Sequence, residues 1–201
     1  GKTVVFVISQ NKLIGVIALS DIIRETSVEV IQDFKNMGIT TFMLTGDNKI
    51  VADYVGGIIG IDNVIAEVLP SEKAEVIEKL QKEGYIVAMT GDGVNDAPSL
   101  AKADLGIAIG AGTDVAIETA DVILVKDNPR DVVNLIKLSI KTYKKMIQNL
   151  IWATAYNIIA LPLAAGILYN IGIVISPALG AILMSLSAII VSINAQLLKI
   201  D

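Results

Sequence analysis

The sequence contains no cysteine and no histidine. Without cysteine there is no disulfide framework and no thiolate metal site within the chain. Without histidine it lacks the commonest metal ligand and general base. A third absence is local: from Met146 to Leu198 there is no Asp, Glu, Lys or Arg. Ordinary globular domains carry about a quarter charged residues throughout. Basic charge is in deficit too. The net charge of −5 argues against nucleic acid as a partner. No signal peptide is visible, and "GKTVVFVIS" begins without Met and reads as a strand already under way, as in a piece of a longer chain.

The uncharged stretch, with Gly and Pro near its middle, is long enough for two bilayer-spanning helices of about 20 residues each. The competing reading is a buried helical hairpin. Lys141, Lys144 and Lys145 precede the first span and Lys199 follows the second, while the connection near Tyr169 to Pro177 is uncharged. By the positive-inside rule both ends lie in the cytosol. Tyr143, Trp152 and Tyr169 fit interfacial anchors. The expected spans are residues 146–168 and 177–198.

The first two thirds alternate between β-branched runs and helical patterns. "TVVFVI" and "LIGVIAL", separated by "SQNK", read as a hairpin. Strands are expected at 40–44, 63–68, 85–90, "LGIAIG" and "DVILV". Helices are expected at 27–38, "KIVADYVGGIIG", 70–84, "DAPSLAKA" and "TDVAIETA". Nearly all-apolar strands alternating with helices predict an α/β fold, a parallel sheet covered on both faces, over residues 1–128. Residues 129–145 predict an amphipathic helix: Val132, Ile136, Ile140 and Tyr143 form one face, and Lys137, Lys141 and Lys145 another. Such a helix rests on the membrane surface, runs into the first span and couples the two halves.

Ligands of open parallel sheets bind outside the carboxyl ends of the strands. Thr45, Gly46 and Asp47 follow one strand; Asp92, Asn95 and Asp96 follow another; Lys73 opens a helix. A hydroxyl, an ammonium and a carboxylate pair at one edge suit phosphoryl transfer. Asp92 and Asp96 offer hard oxygen ligands to Mg²⁺. Lys73 can neutralise the transferring group, and Thr45 with nearby backbone N–H groups, Gly46 included, can bind its oxygens. Gly91 and Gly93 let the backbone turn close to the metal.

"MLTGDN", "PSEKAEVI" and "AMTGDGVNDAPSLAKADLGIAIGAGTDVAIETADVIL" closely resemble the phosphorylation domain of P-type ATPases, ion pumps with a haloacid-dehalogenase-like, Rossmannoid fold. The resemblance implies ATP as substrate and Mg²⁺ as cofactor. It implies that Thr45 contacts the phosphoryl group, Lys73 neutralises it, Asp92 ligates Mg²⁺, and Asn95 and Asp96 order the site. "SDIIRE" resembles the family's hinge, giving Asp21 and Arg24 a place at the joint to the nucleotide domain. The family's nucleophile is the Asp of a DKTGT motif, and the sequence contains no such stretch. The nucleotide, actuator and remaining membrane domains are therefore expected from other parts of the same pump. Without an attacked residue, this chain alone is expected to be inactive.

In the uncharged half, Asn149, Tyr156, Asn157 and Pro162 form one polar pattern, and Met184, Ser187 and Asn194 another. Polar side chains within a bilayer usually face a bundle interior or an ion path. Together the patterns resemble the last two membrane helices of heavy-metal P-type ATPases, nearest the copper-transporting, CopB-like subgroup. That implies Tyr156, Asn157, Met184, Ser187 and Asn194 near a transported metal. Met thioether suits Cu(I) or Ag(I). Ala188 stands where the subgroup often has Thr. Two other readings remain: a membrane-anchored phosphatase of the same fold, and a non-catalytic pump subunit.

Overall fold

The computed structural model describes residues 2–19, 23–91, 94–110, 118–172 and 176–198. It divides into two compact units, Gly1–Asn134 and Leu135–Asp201.

The first unit opens with the expected hairpin, β1 (Thr3–Ser9) and β2 (Lys12–Leu19), paired antiparallel from Thr3↔Leu19 to Ser9↔Lys12. The two loop residues, Gln10 at φ 45° and Asn11 at φ 60°, give the left-handed tight turn that matches strand twist. Alternation would normally make one face polar, yet Val4, Phe6 and Ile8 on one face and Val5 and Ile17 on the other are all apolar and exposed.

Next come α1 (Glu25–Asn36), β3 (Phe42–Leu44), α2 (Lys49–Ile59) and β4 (Asn63–Ile65). Asn48 caps α2 by accepting from the Val51 N–H at 3.0 Å. Gly56 lets α2 lie on β4: a Cβ there would stand 2.5 Å from Val64 Cγ2. β3 and β4 pair in parallel. At their N-terminal ends Asp62 accepts from the Thr41 N–H (2.9 Å) and hydroxyl (2.7 Å), and Lys35 lies 3.0 Å away.

The chain continues through α3 (Lys73–Lys82), β5 (Ala88–Gly91), a 3-10 turn (Val94–Asp96), α4 (Ala97–Lys102), β6 (Leu105–Ile109) and β7 (Val122–Leu124). β5, β6 and β7 form a parallel ladder with β6 central. Ile107 and Ala108 are 0% exposed, and Leu100 and Ile77 are buried as well. The helix expected at "TDVAIETA" begins outside the described residues.

The sheet departs from expectation in one respect. Its parallel strands form two ladders, β3–β4 and β5–β6–β7, with no ladder bond between β3 and β5. The pieces meet where Phe42 and Tyr85 pack edge to face, centroids 5.7 Å apart. The strands expected at 40–44, 63–68 and 85–90 shorten accordingly. The helix expected from Pro70 starts at Lys73, because Glu72 folds back to accept from the Leu69 N–H at 3.0 Å and makes 69–72 a turn.

The amphipathic segment and the first span form one helix, α5 (Arg130–Ala164, 35 residues). At 1.5 Å per residue it is about 52 Å long, well beyond a hydrocarbon core of about 30 Å. Pro162 lies in its last turn. After a 3-10 turn (Tyr169–Ile171), Ser176 caps α6 (Pro177–Gln196), a 20-residue helix. Both helices are long and apolar enough to cross a membrane.

In the second unit α5 and α6 meet along a polar-studded seam. Tyr156 donates its hydroxyl to the Gly180 carbonyl (3.1 Å), and Asn194 donates to Asn149 (2.7 Å).

Candidate functional site

Thr45 leaves β3 still tied to the neighbouring strand: its N–H donates to Ile65 O (3.0 Å), and its carbonyl accepts from the Val68 N–H (3.1 Å). These bonds fix the β3 exit against the connection that leads into Lys73. The Thr45 hydroxyl accepts from the Asp47 N–H at 3.1 Å and donates to Asp47 Oδ2 at 2.9 Å. Asp47 thus closes a turn on Thr45 and aims its hydroxyl. A methyl at Gly46 would meet the Val68 carbonyl at 3.4 Å, so the turn packs against the β4–α3 loop.

Lys73, the first residue of α3, and Asp96, which closes the 3-10 turn after β5, meet across 23 positions of sequence. Lys73 Nζ donates to Asp96 Oδ1 at 2.7 Å, with side chains only 16% and 13% exposed. A half-buried charged pair of this geometry holds each partner in place. Asp96 Oδ2 lies over Gly91, where a Cβ would be 2.8 Å from that oxygen and 2.7 Å from Asp96 Cβ. Only glycine at 91 admits the carboxylate. The sequence offers Asp96 as a magnesium ligand; the structure commits one of its oxygens to Lys73 and leaves the other. Asn95 is exposed in the same turn. Asp92 and Gly93 lie outside the described residues, as does Asp21. Among the described residues, no three acidic side chains converge.

Arg24, expected at a hinge, donates to the Asp127 carbonyl (2.9 Å) and carboxylate (2.7 Å). The bond and charge of Arg24 hold the Asp127 carboxyl below its usual range. Arg130, at the start of α5, pairs likewise with Glu29. Asp127 is a partner that the sequence does not announce: its only mark there is a turn-like "DNP".

The membrane candidates do not gather into one cluster. Tyr156 and Ser187 lie near the seam, but Met184 is 69% exposed. Ten residues from the seam-facing Asn194, it sits about 80° round the helix. Asn157 is exposed and donates to Ala153 O on its own helix (3.0 Å). Met184 and Asn157, expected on a path between the two spans, thus take outward-facing positions. Each lies on a face of its own helix other than the one α5 and α6 share.

Residues 1–104 match the haloacid dehalogenase-like hydrolases. That match covers β1 through α4, and so includes Thr45, Lys73 and Asp96. The chain belongs to this family. Over 99% of its length it is 60% identical to a copper-exporting P-type ATPase B of Archaeoglobus fulgidus, of which it spans 29%. It is 49% identical, again over 99%, to a copper-exporting P-type ATPase B of Enterococcus hirae, spanning 27% of that protein. The crystal structure of a zinc-transporting PIB-type ATPase in its E2.Pi state superposes with a TM-score of 0.84 at 34% identity, over 99% of this chain and 32% of that one. The chain spans less than a third of the pumps it resembles.

Proposed function

We propose that this chain is the phosphoryl-binding and final membrane part of a P-type ATPase that exports copper, with silver as a second cargo, through an aspartyl-phosphate. The observation that carries the reading is the Lys73–Asp96 pair, held at the carboxyl ends of β4–α3 and β5 in a haloacid dehalogenase-like unit. An ammonium fixed by a carboxylate at that edge can neutralise a phosphoryl oxygen without first being ordered. Thr45 would reach a second oxygen by turning its hydroxyl proton from Asp47 to that oxygen, and the Gly46 N–H lies in the same turn. The hard-oxygen set of Asp92 and the free Oδ2 of Asp96 fits Mg²⁺. When bound, the ion offsets phosphoryl charge; Asn95 orders the turn beside it. ATP supplies the phosphoryl group.

The accepting aspartate comes from outside this sequence, which has no DKTGT stretch. We assign its strand the place between β3 and β5, which do not pair with each other. The nucleotide, actuator and remaining membrane domains belong to the same pump, and residues 1–128 face the cytosol beneath a multi-pass bilayer anchor. Met184 and Asn157, exposed on the second unit, face those further membrane segments and complete the metal path there. The 60% identity to a copper-exporting relative supports copper over zinc.

In the full reading frame, purified and reconstituted, Cu(I) and Ag(I) should stimulate ATP hydrolysis and Zn(II) should not. Asp92→Asn should lower the rate on the order of 10³-fold. Stimulation by zinc alone would overturn the cargo, and full activity in Asp92→Asn the site. The 201-residue chain alone should take up no acid-stable label from labelled ATP; incorporation would favour a self-sufficient phosphatase.

A further inference from the structure

Midway along α5 and near the C-terminal end of α6, three polar side chains form a continuous chain. Lys145 Nζ donates to Asn194 Oδ1 at 2.9 Å, and Asn194 Nδ2 donates to Asn149 Oδ1 at 2.7 Å. Lys145 and Asn149 are one helical turn apart on α5 and face the same side. All three are partly buried. Lys145 is the last charged residue before the uncharged run. A lysine in that position ordinarily extends its ammonium to water; here it turns inward to the facing helix. Asn194 uses its acceptor and its donor on the same neighbouring helix, in opposite hydrogen-bonding senses. That arrangement is satisfied in one register only: sliding α6 by a single residue rotates Asn194 about 100° off the seam.

The same geometry bears on Asn194 as a metal ligand. Its amide oxygen, the atom a cation would need, already accepts from an ammonium. A metal at that oxygen would lie beside a fixed positive charge, and soft ions disfavour amide oxygen in any case.

We infer that Asn194 is a positioning residue, the keystone of a Lys145–Asn194–Asn149 clasp that sets the register of α5 against α6 at the cytosolic boundary. Asn194 does not ligate the cargo. The clasp goes beyond the pump reading, and the first test below does not depend on it. Its consequence is mechanical: Tyr156 and Ser187, on the same seam, keep their places only while the clasp is closed.

The chain would be placed in lipid nanodiscs and followed by amide hydrogen exchange as wild type, Lys145→Met, Lys145→Arg and Asn194→Leu. Lys145→Met and Asn194→Leu should each speed exchange by at least about threefold in both 143–149 and 192–198, and Lys145→Arg should restore protection. Acceleration confined to the substituted helix, or none, overturns the clasp. In the full reading frame, both substitutions should lower copper-stimulated turnover while leaving the half-saturating copper concentration within about twofold of wild type. Combining them should do no more harm than either alone. A rise of about tenfold or more in half-saturating copper for Asn194→Leu, with Lys145→Met unchanged, would make Asn194 a ligand and sink the inference. Absence of copper stimulation in the wild type would refute the pump reading while the exchange result still decides the clasp.

Discussion

Lys73→Met removes an ammonium and keeps most of the stem's volume. It leaves Asp96, 13% exposed, as a carboxylate without its cation. Breaking a buried pair by removing one partner costs about 3–5 kcal/mol; the residual exposure argues for the low end, about 3 kcal/mol. Lys73→Met/Asp96→Asn replaces the pair by neutral groups of similar size. It should lose only about 1 kcal/mol, because no charge is stranded. The assay is pulse proteolysis in urea on the chain in nanodiscs, scoring cleavage between Glu25 and Lys126. With a urea dependence of about 2 kcal/mol per molar, the single variant should unfold about 1.5 M earlier and the double about 0.5 M earlier. In the full reading frame, however, both should be inactive, since the double variant restores the fold and not the ammonium. Equal midpoints for wild type and Lys73→Met would refute the claim that the pair is structurally coupled. Activity in the double variant would refute Lys73 as the neutralising group.

Gly91→Ala places a methyl 2.7 Å from Asp96 Cβ. It should displace the carboxylate from Lys73 at a cost of about 1–3 kcal/mol, read as an earlier urea midpoint in the same assay. Hydrogen bonds from the Thr41 backbone N–H, then its hydroxyl, then Lys35, hold the Asp62 carboxyl at about 2. The stability it contributes is complete above the ordinary carboxylate range and is lost as pH falls from about 4 through about 2. Midpoints measured from pH 5 to pH 2 should fall less steeply in Asp62→Asn than in wild type; parallel curves would contradict the assignment. Asn48→Ala should cost about 1 kcal/mol and expose the Val51 amide to exchange, whereas an unchanged Val51 amide would show that the cap is dispensable.

The hairpin, the helices α1 to α4 and the parallel strands were legible because each is written locally, in β-branched runs, a turn at Gln10–Asn11, or apolar residues at helical spacing. The extent of the strands was not. Ile86 lies in an apolar run yet is 92% exposed, and Tyr85 turns aside to Phe42; both depend on neighbours distant in sequence. The continuity of α5 was legible too, as an amphipathic helix running into the first span. The change from Lys145 to Met146 marks a change of solvent and carries no backbone breaker, so charge drew a boundary that the helix ignores. At the candidate site, residue types placed Thr45, Lys73 and Asp96 after strands or at a helix start, but the Lys73–Asp96 pairing is tertiary. Nothing in "PSEKAEVI" shows that Lys73 will be held by Asp96.

That pairing explains why the proposed site needs a divalent cation as well as a lysine. Asp96 already compensates the Lys73 ammonium, so the pair offers no net positive charge to an incoming phosphoryl dianion. Asp92 adds a further negative charge beside it in sequence. Two carboxylates and one ammonium leave the turn with one excess negative charge, and a phosphoryl group would bring two more into a partly buried edge where Coulomb energies rise as water is excluded. One lysine cannot reverse that balance. A divalent ion on the hard oxygens would turn the site's own excess from one negative charge to one positive before the phosphoryl group enters, and it would also draw Asp96 Oδ2 without disturbing the Oδ1 bond to Lys73. Asp96 would thereby serve both cations with different oxygens, which asparagine cannot do with full charge. Asp96→Asn alone should therefore raise the Mg²⁺ concentration needed for half-maximal phosphorylation in the full reading frame, while Glu78→Gln, on the exposed side of α3, should leave it unchanged.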